Sequence, residues 1–158
     1  MLKKHLFNFS IVILIFIIDR ISKLLAINFL DTYGEYGFKV TSFLNFNLIW
    51  NKGIAFGLLS FDQKLYYNFL TIIIILVTII ILLMIIKTKG LEKIAFMMIF
   101  GGSLGNIFDR LVYASVPDFI DLHFNNFNWF IFNVADIFIS VGVILLIYYE
   151  FFNKRINE

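Results

Sequence analysis

The chain has 158 residues, enough for one domain and too few for two comfortable ones. Hydrophobic residues make up 61%, charged residues only 15%, and the mean hydropathy is +0.91, where an ordinary soluble domain carries roughly a quarter charged residues. This is the composition of an integral membrane protein; the net charge of +2 gives nucleic acid no reason to bind, and the absence of cysteine removes disulfides, thiolate nucleophiles and Cys-ligated metals together.

Met1 to Lys4 is short and basic, and an apolar run from Leu6 to Ile18 follows. No small-residue cleavage signal comes after it, and the pattern stays helix-compatible through Asp19, Arg20 and Lys23, so a retained first span over about 6–28 is expected. Asp31 to Gly37 is polar and glycine-containing, a turn or loop. From Phe38 to Trp50 polar and apolar residues partly alternate, which suggests short strands. Asn51 to Gly57 reads NKGIAFG, whose two glycines permit unusual backbone angles.

The second span, about 65–86, is the plainest: Phe69 to Ile86 holds no charge, and from Leu65 the helix reaches about 33 Å at ~1.5 Å per residue, enough for a hydrocarbon core of roughly 30 Å. Lys87, Lys89 and Lys93 surround a turn at Gly90. The third span, about 91–110, contains Gly101 and Gly105, a GxxxG spacing that serves helix packing more often than chemistry. A fourth is expected over about 129–152, with Leu111 to Asn128 as an outer loop. Lys3, Lys4, Lys87, Lys89, Lys93, Lys154 and Arg155 then share one side, which the positive-inside rule makes cytoplasmic, with both termini inside. Trp50, Trp129 and Tyr113 fall where interfacial anchors belong.

The expected architecture is therefore an all-α membrane protein, a four-transmembrane-helix bundle forming one domain over 1–158. Its charges gather at one depth. Asp19, Arg20, Lys23, Asn51, Lys52, Asn106, Asp109, Arg110, Asp118, Asp121, Asn133 and Asp136 all lie in or just above the outer membrane. Asp136 falls about seven residues into the expected fourth span, roughly 10 Å from its outer end. No charge separates it from Glu150, so it faces the bundle interior. Two aspartates meeting in a partly dry cleft cannot easily both ionise, and the pair then supplies a general base for water and a general acid for a carbonyl oxygen or leaving amine, with neither metal nor cofactor. Asn133 or Arg110 would orient the carboxylates or the scissile carbonyl. Asp19 with Lys23, four apart, reads first as a helix-end ion pair, and Asp109 beside Arg110 as structural or substrate-orienting. Asp121 with His123 is a weak metal signal. Spacing does not choose among the five outer aspartates. It also leaves open a small proton- or ion-coupled transporter and a non-enzymatic scaffold; a relay, however, would spread ionisable groups toward the midplane, where the second span has none.

The strings DRISK (Asp19 to Lys23), NKGIAFG, GNIFDR (Gly105 to Arg110), VPDFID (Val116 to Asp121) and FNVAD (Phe132 to Asp136) occur in the order seen in the lipoprotein signal peptidases, or signal peptidase II, and the resemblance covers essentially the whole chain. It implies an aspartic endopeptidase of the bacterial cytoplasmic membrane, cutting diacylglyceryl-modified prolipoproteins before the lipidated cysteine. The catalytic dyad would be Asp118 and Asp136. Asp19, Lys23, Asn51, Gly53, Asn106, Asp109, Arg110 and Asn133 match positions that support the dyad or contact substrate and the inhibitor globomycin. A small outer β-cradle between spans 1 and 2, no cofactor, and a monomeric enzyme in the lipid bilayer are implied as well. Pro117 before Asp118, and Ile54 where the family often has alanine, depart from the pattern; the proline restricts Val116 to extended conformations.

Overall fold

The computed structural model describes residues 2–30, 37–53, 64–124 and 127–157. In chain order these form α1 (Leu2–Leu30), β1 (Phe38–Lys39), β2 (Leu44–Asn51), α2 (Lys64–Lys87), α3 (Gly90–Tyr113), β3 (Val116–Phe124), β4 (Phe127–Phe132) and α4 (Val134–Asn157). Among the described residues, three helices are long and apolar enough to cross a membrane: Leu65–Lys87, Gly90–Tyr113 and Val134–Phe152. α1 falls outside that set because Asp19, Arg20 and Lys23 interrupt its apolar stretch. Ile54 and the rest of the NKGIAFG string beyond Gly53, together with residues 31–36 of the first turn, lie outside the described residues.

α3 is the axis, packed against α1, α2 and α4. Its small residues make that possible. A Cβ on Gly101 would press on Ile15 of α1 at 3.0 Å, and one on Gly102 would stand 2.6 Å from the Ala135 carbonyl of α4. Gly105 lies directly against the Asp19 carboxylate. The GxxxG pair thus serves α1, while the adjacent Gly102 admits α4. From α4, Gly142 returns the favour against the Ala95 carbonyl, where a Cβ would lie 2.8 Å away. Along α1 the buried residues Ile15, Asp19, Lys23, Ala26 and Leu30 recur every three or four positions, one stripe against its neighbours. Leu14, Ile17, Ile18, Ile21, Leu24 and Leu25 on its other faces remain exposed.

The β content matches the small cradle expected beside the helical bundle but is larger. The four strands form one antiparallel sheet in the order β1-β2-β3-β4, so the cradle is drawn from both outer segments and not from the one between the first two spans alone. Val116 to Phe124 and Phe127 to Phe132, expected as an outer loop running into the start of the fourth span, are strands. FNWFIF is a short apolar run whose period does not separate strand from helix, and pairing with β3 decides it, with Ile120 opposite Phe132 and Asp121 opposite Ile131. α4 therefore begins at Val134, about five residues later than expected, and Asp136 sits in its first turn. α1 buries Ala26 and Leu30 against Phe119 of β3, with Phe46, Leu48, Ile120 and Val134 around them, which seats the sheet on the C-terminal end of α1. Trp50 and Tyr113 meet edge to face at 5.5 Å and stay largely exposed, as interfacial residues do; the side chain of Trp129 lies outside the described residues.

Candidate active site

Asp118 and Asp136 arrive by different routes. Asp118 lies on β3 opposite Ile49 of β2; Asn51, two residues further along β2 on the same face, reaches it diagonally. Between Phe46 and Ile49 the β2–β3 register slips by one residue, a bulge directly beside this position. Asp136 comes from the start of α4, where Asn133 is the N-cap. The Asn133 Oδ1 accepts from the Asp136 amide at 3.1 Å, and the Asp136 Oδ2 accepts from the Asn133 amide at 3.2 Å. This is a capping box made with asparagine and aspartate, each side chain satisfying the other's backbone N–H.

That box leaves the Asn133 Nδ2 free to donate to Asp118 Oδ1 at 2.6 Å, so a single asparagine holds both carboxylates. The other oxygens are also occupied by amides. Asn51 Nδ2 donates to Asp118 Oδ2 at 2.8 Å, and Asn106 Nδ2 to Asp136 Oδ1 at 2.9 Å. Asp118 is 2% exposed, Asp136 4% and Asn133 0%. Neither carboxylate of the pair forms an ion pair among the described residues.

The cations are committed elsewhere. Lys23 Nζ donates to Asp19 at 3.0 Å, to Asp109 Oδ2 at 2.7 Å and to Asn106 Oδ1 at 2.8 Å, using all three of its protons. Arg20 clamps Asp109 with both terminal nitrogens, at 2.5 and 2.8 Å, and touches Asp19 at 2.9 Å. Two acids and two bases thus close a neutral quartet between α1 and α3. Phe16 and Phe108 flank the guanidinium, their centroids 5.9 and 4.8 Å from its carbon. The remaining Asp19 oxygen accepts from the Ala135 amide at 3.0 Å, so an acid of α1 caps α4 in its first turn.

This revises three expectations. Asp19 and Lys23 do pair, but in mid-helix and fully buried, not at a helix end. Asp109 binds Arg20 and Lys23 of α1 and not its neighbour Arg110, whose guanidinium is turned to the Gly53 and Asn106 carbonyls. Arg110 hydrogen-bonds neither carboxylate: it donates to the Gly53 carbonyl and, at 3.5 Å, to that of Asn106, pinning the segment after Asn51. That segment is also held by the Gly53 amide donating to Asn51 Oδ1 at 2.7 Å. Asp118 and Asp136 and the eight residues expected to support them, Asp19, Lys23, Asn51, Gly53, Asn106, Asp109, Arg110 and Asn133, fall in this one assembly. Arg20, one of the charges expected at this depth and without an expected part in the site, belongs to it too. Asp121 pairs with Asn45 across the strands, and among the described residues no group of three or more metal-binding side chains forms around it and His123.

The chemistry open to the site follows from its donors. Asn106 must present its oxygen to Lys23, which leaves only its nitrogen for Asp136; the amide is fixed by the quartet beneath it. Burial first, and then the Asp136 charge, push the Asp118 carboxyl up to about 6 from an ordinary 3.8, against the opposing donors Asn133 and Asn51. Because the folded value is the higher one, this group's contribution to stability is complete below about pH 4 and is lost as the pH rises through about 6. Chemistry that needs Asp118 protonated should decline over the same interval. In Asn51→Ala, which removes a donor that favours the carboxylate, the alkaline limb of a cleavage pH profile should move to higher pH; a limb that moves down, or stays put, would assign it to another group.

The comparisons agree with one another. The sequence profile described as signal peptidase (SPase) II matches residues 11–152. A lipoprotein signal peptidase of Pelagibacter ubique (strain HTCC1062) is 48% identical over 159 residues, covering 99% of this chain and 96% of that one. One from Thermodesulfovibrio yellowstonii is 43% identical over 87% of this chain and 89% of its own. Among solved structures, a bacterial membrane enzyme determined in meso at 2.3 Å superposes with a TM-score of 0.75 and 27% identity, covering 96% of this chain and 91% of that structure.

Proposed function

Since the chain belongs to the signal peptidase II family, and is thereby a bacterial membrane peptidase of the aspartic type, we propose that it removes signal peptides from prolipoproteins by cutting before a diacylglyceryl-modified cysteine, with Asp118 and Asp136 as the dyad. The observation that carries this is Asn133, whose amide and backbone hold the two carboxylates on either side of one residue while no cation among the described residues pairs with either. A pair so placed retains one proton between them. The ionised member takes a proton from water, whose oxygen adds to the scissile carbonyl carbon. The protonated member donates first toward the carbonyl oxygen. As the C–N bond breaks, the departing nitrogen takes up a proton and leaves as the lipidated cysteine's free amine. Asn51, Asn106 and Asn133 keep the acids aimed; Asp19, Lys23, Asp109 and Arg20 keep the asparagines and the start of α4 in place. Arg110 and Gly53 shape the segment over the site, where the substrate backbone and globomycin-type inhibitors would bind.

The membrane arrangement we propose has four spans, α1 included. Its Leu2–Leu30 helix is about 43 Å long, Asp19 and Lys23 within it are fully buried and Arg20 nearly so, and its apolar faces are bare. Both termini are then cytoplasmic, the dyad lies near the outer face, and the single domain works as a monomer. Purified in detergent, the chain should shorten a diacylglyceryl-modified precursor to a product beginning at the lipidated cysteine, read by mass, and leave its Cys→Ser counterpart intact. Equal cleavage of both precursors, or of neither, would refute the assignment.

A further inference from the structure

A second feature lies on the opposite side of α3 from α4. Between α1, α2 and α3 runs a groove of about 830 Å³, and every residue lining it is apolar except Lys93. It extends from Phe9, Ile86 and Lys93 at one end to Phe108 and Leu111 at the other, about 27 Å along α3. Lys93 is half-buried and has no hydrogen bond or ion pair among the described residues. Glu92, its neighbour in sequence, does not help it: with Glu150 it lines a separate cleft between α3 and α4. Lys87 and Lys89, one turn earlier, are exposed at the same level. One end of an apolar trough therefore carries an uncompensated cation, at the membrane face the basic residues mark as cytoplasmic.

We propose that this groove holds an anionic diacyl phospholipid of the inner leaflet, its phosphate on Lys93 and an acyl chain laid along the trough between α1 and α2. Basic pockets between spans at the cytoplasmic side suit such head groups. A substrate's signal helix is the poorer occupant, because its basic leading segment would stand at the same level and meet Lys93 with like charge. The chain would pack against Phe16 and Phe108, the rings that cover Arg20, so an occupied groove also seals the buried quartet from the lipid side. The assignment of leaflet rests on the orientation proposed above; binding itself does not, nor does it require the peptidase activity.

The test is native mass spectrometry of the full chain released from detergent containing equal amounts of phosphatidylglycerol and phosphatidylcholine. The wild-type protein should retain phosphatidylglycerol in preference. Lys93→Gln should reduce that preference about fivefold, the effect of one lysine at an anionic surface, while Lys93→Arg keeps it and Lys89→Gln, outside the groove, changes it less. No preference in the wild type, or an unaltered one in Lys93→Gln, overturns the proposal. So does displacement of the lipid by an equimolar signal-helix peptide with a basic leading segment, which would give the groove to substrate instead.

Discussion

Asp118→Asn and Asp136→Asn should each lower the single-turnover cleavage rate of a lipidated precursor by about 1,000-fold or more, while melting in detergent stays within a few degrees of wild type. The size follows from the loss of an acid or base that nothing adjacent replaces: general acid–base catalysis contributes typically about 10² to 10⁴, and no other carboxylate hydrogen-bonds to Asn133 or Asn51 among the described residues. Folding should survive because the exchange is nearly isosteric. In Asp136→Asn the side-chain oxygen can still accept the Asn133 amide, which keeps the capping box and hence the start of α4. The double variant should be little worse than either single one, since two groups that act on one proton fail together. Rates above a tenth of wild type in either single variant would place the chemistry on other residues.

How far this was readable without coordinates varies by element. α2 was plain, because eighteen uncharged residues have only one reasonable fate. The depth at which the charges gather was plain for a related reason: membrane spans fix position along one axis, so residues far apart in sequence can be placed at one level without knowing any contact. What spacing could not do was rotate the helices, and partner choice depends on rotation. Asp109 is adjacent to Arg110 in sequence yet binds Arg20 and Lys23, 89 and 86 residues away. The choice of Asp118 and Asp136 as the proposed dyad rests on motif resemblance, not on spacing. One signal was missed that could have been used: Asn-Val-Ala-Asp ahead of an apolar run is a helix-start signature, and honouring it would have begun α4 at Val134 and released FNWFIF to be a strand. The sheet stayed hidden because its strands come from both outer segments, and each looks irregular until the other pairs with it.

Removal of Lys23 separates what the quartet does for stability from what it does for the site. Lys23→Met leaves Asp19 and Asp109, both fully buried, to share Arg20 alone. An unbalanced buried charge of that kind costs about 3–5 kcal/mol, which should appear as a large drop in melting temperature in detergent. Adding Asp109→Asn restores the balance, one acid against one base, and should recover much of the loss; a double-mutant cycle measures the coupling. Cleavage should not recover with it. Asn106 will have lost the cation that fixes its oxygen, so its amide is free to turn, and Asp136 then loses a donor or meets an oxygen in its place. Misaiming a catalytic group by about 1 Å is enough to slow a reaction by about 100-fold. A stable but slow double variant is the expected outcome. If the double variant were both stable and fast, Lys23 would be a counter-ion only, and the chain of contacts from Lys23 through Asn106 to Asp136 would have no part in positioning the dyad.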